Sequence, residues 1–387
     1  MDRVTKQRNL VVGFTYNKIP EQARNSEYNP TMGEWDSGET IDEVVKALES
    51  AGHVVIPLEA VRKKGYDVYR ELERHKLDII FNIAEGYQTR NRESLVPAFC
   101  EWLHIPLTGS DAGALANALN KATTLEILMN YGIPIVPSIC FKDAEKIELR
   151  EYQQRLSKIL PLVVKPVGEG TSTGMNQESV VDNLADLKEA VQKVIVQYGQ
   201  EALVQQFING KEFTVGILGD LVLPILEFDL NRMPNQPRVR DEGVKEIDSG
   251  YSRVARFSDA YTRLAAYSAI AHTALSCRDY NRMDFRQGSD GKIYFLEANP
   301  LPGLSPHSSD FPKSAALAGI GYDVMINAVL WQAILRYQSE PEYKQRFSSQ
   351  RVGYLEDFVN PLQRLNFFHV VAPDTDAKMF RLVKAAK

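Results

Sequence analysis

The chain has 387 residues, 44% of them hydrophobic and 25% charged, enough apolar material for about two or three compact units and too much for a disordered polymer. Its 45 Lys and Arg stand against 50 Asp and Glu with no basic block, so the formal charge of −5 speaks against nucleic-acid or basic membrane-surface partners. Cys100, Cys140 and Cys277 are too scattered for a disulfide framework or a Cys-rich zinc site, and no stretch reaches the roughly 20 apolar residues of a membrane span.

After the basic start Met1–Arg8, the apolar run Leu10–Phe14 is too short for a secretory core and reads as a strand buried on both faces. A cytoplasmic location is expected. Asp36-Ser37 offers an N-cap for a helix carrying Ile41, Val44, Val45 and Leu48, with Gly52 as its stop. Val54–Ile56 and Ile79–Phe81 read as further strands, with a helix around 66–74 between them. This alternation predicts βαβ units in a doubly wound parallel sheet. No Gly-x-Gly-x-x-Gly follows the first strand, so a dinucleotide site there has no support.

Ser110 or Asp111 caps one long helix with Leu115, Leu119, Leu125 and Leu128, ended by Gly132-Ile133-Pro134. From 138 to 217 the pattern is strand, helix, strand, glycine-rich turn, helix, strand. Residues 229–252 are polar, contain Pro234 and Pro237, and read as a functional loop or lid. A helix over 258–276 leads to strands Arg282–Phe285 and Lys292–Leu296, then a helix Tyr322–Tyr337 and a polar tail.

Two constellations carry chemistry. Leu162–Pro166 runs into Gly168-Glu169-Gly170-Thr171-Ser172-Thr173-Gly174, which reads either as a phosphate cradle of backbone N–H groups or as a surface hairpin. Lys165 ends a buried apolar strand, where its ammonium is costly unless it meets an anion. The second is Arg282-Met283-Asp284-Phe285 with Glu297-Ala298-Asn299. On neighbouring antiparallel strands Asp284, Glu297 and Asn299 form an all-oxygen ligand set suited to Mg²⁺ on nucleotide phosphates; the plainer reading is the solvated face of a hairpin.

The order of these pieces is itself distinctive. Asn120-Lys121-Ala122, Val164-Lys165-Pro166 with its glycine loop, and Val204–Val215 together resemble the ATP-grasp fold. Arg282–Phe285 with Glu297-Ala-Asn-Pro-Leu-Pro-Gly303-Leu-Ser-Pro-His-Ser308, and Leu107-Thr-Gly-Ser110, resemble its D-alanine:D-alanine ligase branch. The resemblance covers about Leu10 to Tyr337. It implies an N-terminal Rossmann-like domain (1–137), a small central α+β subdomain (138–217), a C-terminal α+β subdomain (218–340) and an uncovered extension (341–387).

The resemblance also implies roles. Lys121 and Lys165 hold ATP phosphates under a loop containing Gly170, Thr171 and Ser172, with Ser172 also among the catalytic residues. Gln205, Gln206, Phe207 and Ile208 line the adenine pocket and Glu212 takes the ribose hydroxyls. Asp284, Glu297 and Asn299 hold Mg²⁺ or Mn²⁺. Arg282 and the N–H of Gly303 stabilise a tetrahedral oxyanion, and Ser308 orients the second substrate's carboxylate. The implied reaction phosphorylates an acceptor acid and joins it to an amino acid, releasing ADP and phosphate, in a homodimer.

One departure is at the adenine hinge, where Gln205 stands in place of the family's usual acidic residue and offers its carbonyl to an adenine amine; the others fall on the substrate side. Ala84-Glu85-Gly86 stands where the branch has His-Gly, and it is followed by Arg90, Arg92 and Glu93, which are candidate acceptor contacts with Glu85. Tyr251 is the nearest residue to a lid Lys-Tyr pair. These leave two alternatives: a ligase similar to the mycosporine ligases, condensing an amino acid onto a ring enol or ketone, and a nucleotide-binding regulator without catalysis.

Overall fold

The structure, a computed structural model, describes residues 9–20, 35–63, 65–87, 89–170, 174–233, 235–247, 252–360, 368–370 and 382–384. The N-terminal stretch forms β1 (Val11–Tyr16), α1 (Gly38–Ser50), β2 (Val54–Glu59), the short β3 (Arg62–Lys63) and β4 (Tyr66–Asp67), α2 (Val68–Arg74), β5 (Ile79–Asn82), α3 (Leu95–Trp102), α4 (Ala112–Leu119) and α5 (Lys121–Asn130). The next stretch forms β6 (Ser138–Phe141), α6 (Arg150–Leu156), β7 (Leu162–Pro166), β8 (Val180–Val181), α7 (Leu184–Tyr198) and β9 (Ala202–Gln206). Then follow β10 (Gly210–Leu218), β11 (Leu221–Val222), β12 (Leu226–Phe228), α8 (Glu242–Ile247), β13 (Ser252–Val254), α9 (Asp259–Ala274), β14 (Tyr280–Gly288) and β15 (Ile293–Asn299). The chain finishes with α10 (Asp310–Leu317), α11 (Tyr322–Gln338), α12 (Ser349–Val359), β16 (Phe368–Val370) and β17 (Leu382–Lys384).

β1 pairs in parallel with β2 and β5, giving the order β2-β1-β5. Alternation explains how it is covered. Val12 and Phe14 pack with α1 and α11, while Val11, Ile56 and Ile80 pack on the other face with α2 and α3. The second sheet is antiparallel, ordered β6-β9-β7-β8, with Leu156 of α6 and Leu187, Val191 and Val194 of α7 filling its core. In the third sheet β10 lies between β12 and β14, and β14 carries β15 on its other edge. Phe213, Val215, Met283, Phe285 and Phe295 turn inward against α5 and α9, which leaves the opposite face free to meet the second sheet.

Four expectations change. The single helix predicted across 111–131 is two, α4 and α5, because Asn120 adopts an extended ψ of 97° and its side chain caps the second helix by accepting from Thr123 N. Residues 66–74 begin as a strand pairing with Arg62–Lys63, and the helix starts only at Val68. The predicted lid is partly folded: Leu230, Met233 and Val244 make a small core between a 3₁₀ turn and α8. Finally, the tail is not merely polar, since Tyr343, Phe347, Val352, Leu355 and Val359 join the core beneath β1 and α11. No single helix among the described residues is long and apolar enough to cross a membrane.

Candidate active site

Two buried lysines meet where the sheets face each other. β7 is buried along its whole length and delivers Lys165, 5% exposed, into the cleft. Burial, aided by nearby Lys121, lowers its ammonium to about 8, although Glu297 and Glu212 pull the other way. Lys121 arrives through the helix break. As the first residue of α5 it gives its backbone N–H to Val167 O (3.0 Å), while its Nζ donates to Glu169 O and lies 3.6 Å from Glu297 Oε2.

The β14–β15 hairpin supplies the acids. Asp284 lies opposite Glu297, and Arg282 opposite Asn299. Simple alternation would put Glu297 on the same side as Phe295, in the core. A β-bulge at Asp284/Phe285 shifts the register so that Phe295 and Ala298 turn inward while Glu297 and Asn299 reach the cleft. Asp284 accepts from Thr214 Oγ1 (2.6 Å), from Arg282 Nε and Nη2 (3.2 and 2.9 Å) and from Asn299 Nδ2 (3.2 Å). Burial alone would raise the Glu297 carboxyl, but Lys121, Lys165, Arg282 and Lys245 hold it down at about 2. Burial also opposes the charge on Arg282, yet Asp284 and Asp310 push its pKa up.

These donors fit a hard divalent cation: two carboxylates on one hairpin, and an amide whose nitrogen is already given to Asp284, leaving its oxygen as the ligand. Among the described residues no three His, Cys, Asp or Glu side chains converge, so phosphate oxygens and water would complete the shell, as is usual for Mg²⁺.

The cleft continues past Glu212 to an apolar end with Val136, Val163, Phe207, Ile208 and Leu296, where Gln205 and Gln206 also line the wall. Gln205 is almost fully buried and gives its Nε2 to Ser138 Oγ (2.9 Å). Glu212 Oε2 lies 3.6 Å from Arg286 Nη2, and burial outweighs that attraction to raise its pKa. Arg286 and Arg238 stack on Phe207 at 5.0 and 4.9 Å. The free volume here is about 80 Å³, below the roughly 300–1,000 Å³ of ligand pockets.

The segment over the cleft brings in residues the sequence analysis did not single out. Lys245 on α8 has its pKa lowered by burial and by Arg240 and Arg282, and it feels the charges of Glu297 and Asp284. Arg240 grips Asp310 with both nitrogens (2.8 and 3.2 Å) and lies 3.7 Å over the Phe228 ring. No motif around Lys245 announced it; only the fold of 229–247 shows the proximity. Gly303 precedes this wall, and a Cβ there would come within 2.7 Å of Ser309 Oγ. Ser308 is exposed, with its N–H on Ser305 Oγ (3.4 Å), while Ser309 Oγ accepts from Ser305 N.

On the N-terminal side, Glu85 is half-buried, Arg90 exposed, and Arg92 and Glu93 buried. Arg92 donates to Gly168 O at the start of the glycine turn (2.7 Å). Of the Asp36-Ser37 cap pair, Ser37 caps α1 by accepting from Thr40 N, while half-buried Asp36 has its carboxyl raised to about 7 by desolvation, and its charge is felt by the phenols of Tyr280 and Tyr322. Tyr322 Oη donates to Leu304 O (2.8 Å). Gly170 closes the described part of the turn; Thr171, Ser172 and Tyr251 lie outside the described residues.

Comparison with known proteins agrees with this geometry. A family model described as D-ala D-ala ligase C-terminus matches residues 127–331, more than half of the chain. The D-alanine–D-alanine ligase of Xanthomonas axonopodis pv. citri is 30% identical over 312 residues, covering 77% of this chain and 93% of its own. The uncharacterized protein y4sG of Sinorhizobium fredii is 31% identical over 314 residues, covering 78% and 90%. The D-alanine–D-alanine ligase from Bacillus anthracis complexed with ATP shares the fold at a TM-score of 0.64 and 21% identity, covering 86% of this chain and 99% of its own. VanG D-Ala:D-Ser ligase from Enterococcus faecalis does so at 0.62 and 18%, covering 84% and 100%. The chain belongs to the D-alanine–D-alanine ligase family of the ATP-grasp fold and is an ATP-dependent ligase that forms carbon–nitrogen bonds.

Proposed function

We propose that the chain uses ATP and Mg²⁺ to join the carboxylate of a small acceptor to the amine of an amino acid, with ADP and phosphate as the other products. The observation that carries this reading is the row of alternating charges in the cleft, in which Glu297 is flanked by Lys121 and Lys165 and Asp284 by Arg282. A carboxylate is a poor electrophile until one oxygen becomes part of a good leaving group. The acceptor oxygen attacks the γ-phosphorus, the bond to the β–γ bridging oxygen breaks, and ADP departs. Lys165 and Lys121 hold the phosphates, Glu212 the ribose and the Gln205–Ile208 wall the adenine. Asp284, Glu297 and Asn299 would hold the Mg²⁺, which supplies neutralisation of the charge on the transferring group.

The amine nitrogen then attacks the acyl carbon, phosphate leaves with its oxygen, and the proton lost by nitrogen goes to the departing phosphate. Arg282 and the Gly303 N–H steady the oxyanion formed on the way, each such donor being worth about 3 kcal/mol in comparable sites. The likeness to D-alanine–D-alanine ligases favours the carboxylate–amine reading over a ring enol. We expect a dimer that acts on small molecules only, in the cytoplasm. The test is phosphate release with Mg·ATP against a panel of D- and L-amino acids and their pairs, products identified by mass. Phosphate release that depends on no amine would sink the proposal.

A further inference from the structure

We propose that Arg92 is a positioning residue that holds Gly168, Glu169 and Lys121 in place for the nucleotide; this rests on the ATP-dependent reading above. Arg92 lies outside the region matched to the ligase family model and is only 6% exposed. A guanidinium so deeply buried is costly unless every face of it is engaged. Its Nη1 donates to Gly168 O at 2.7 Å, and its Nη2 lies 3.6 Å from Glu169 Oε2 and 3.8 Å from Glu93 Oε1. Gly168 and Glu169 open the glycine turn, three and four residues beyond Lys165.

Glu169 is the node of this arrangement. Its carbonyl accepts Lys121 Nζ, its carboxylate takes Arg92 and Gln200 Nε2, and Gln200 Oε1 accepts from Gly168 N (2.9 Å). Lys121 continues the chain to Glu297 at 3.6 Å. Two ion pairs joined through the Glu169 backbone carbonyl thus lead from Arg92 to the acid that faces both cleft lysines.

The other end of the run is rigid as well. A Cβ on Gly86, whose φ is +72°, would fall 2.4 Å from Arg92 O, so this backbone packing requires glycine. Gly86 N donates to Asn17 Oδ1 (2.8 Å) just beyond β1, and Gly86 O accepts Trp35 Nε1 (3.0 Å). Arg92 therefore sits in a 3₁₀ turn whose backbone packs against Gly86, just beyond the end of the sheet. Removing it leaves the Glu169 carboxylate short of its cation, and Lys121, already bonded to that residue, is drawn away from the phosphates.

The test titrates Mg·AMP-PNP into the wild-type chain and into Arg92→Ala, Arg92→Lys, Glu169→Gln and the Arg92→Ala/Glu169→Gln pair, with a thermal melt of each. We expect Arg92→Ala to weaken nucleotide binding about tenfold, Arg92→Lys to restore part of that loss, and the double variant to lose less than the product of the single losses. If Arg92→Ala does not fold, Arg92→Lys and Glu169→Gln decide, and wild-type affinity in both overturns the proposal. So does wild-type affinity in Arg92→Ala, or a melt that drops in Arg92→Ala with no change in affinity. A wild-type chain that binds no Mg·AMP-PNP overturns the ATP reading of the site itself, a different result from equal binding by all variants.

Discussion

Lys165 illustrates how much one side chain's surroundings decide. Burial places its pKa near 8, so in the free protein it is cationic below that pH and loses its charge above it. Nucleotide affinity should therefore fall as pH rises through about 8, and Lys165→Met should be weaker throughout and lack that step; titrations at pH 7 and 9 check this. Glu297 sits at the opposite extreme, fully ionised across the accessible range at about 2. Glu297→Gln keeps the volume and an oxygen but removes the charge that faces Lys121. We expect turnover to fall by roughly 100-fold or more, with circular dichroism unchanged. Activity at the wild-type level would remove Glu297 from the metal site.

Among elements, the α4–α5 break is the most informative. Leucines at helical spacing run straight through 115–128, and nothing in that periodicity marks a stop. Asn120 does so locally, by taking an extended ψ and capping α5. A continuous helix would give Lys121 N an intrahelical partner; here it bonds Val167 O instead and the side chain enters the cleft. Asn120→Ala should lower stability by about 1 kcal/mol through the lost cap and raise the KM for ATP more than it lowers kcat. A melt and steady-state kinetics separate the two effects, and an unchanged KM would mean the break does not orient Lys121. The hairpin teaches a related lesson. The acids and the amide were legible as a set, but Phe295 and Glu297 have the same parity, and only the bulge lets one enter the core while the other faces the cleft.

Across the whole molecule, α12 ties the end of the chain to its beginning. Arg351 Nη2 bonds Asp78 Oδ2 (2.6 Å), which also accepts Val11 N (2.8 Å), and Leu355 is fully buried in the core shared with α1 and α11. Leu355→Ala should cost about 2–5 kcal/mol, read as a denaturant midpoint, although it lies far from the cleft. His53 is locked in the same seam. Asn327 gives its amide hydrogens to Ala47 O and Asp323 O, so its Oδ1 accepts from His53 Nε2, and His53 Nδ1 accepts from Tyr354 Oη. Burial lowers the His53 pKa to about 4, against an ordinary value of 6.5. Between those values the unfolded chain binds the extra proton, so stability is full above pH 6.5 and declines by about 3 kcal/mol as pH falls to 4. His53→Gln should flatten that slope, and an unchanged pH profile would show that the imidazole is not buried neutral.

Local chemistry was enough to read the alternation of strands and helices, the glycine turn, the buried lysine strand and the hairpin acids, because period, caps and turn residues act over a few neighbours. It was also enough for the family resemblance, which rests on short motifs in fixed order. The approach of Lys245 to the acids, the seating of Arg92 on Gly168 and the docking of α12 were not legible. Each depends on contacts between residues far apart in the chain, and the desolvation and charge pairing that set their properties exist only after the sheets have met.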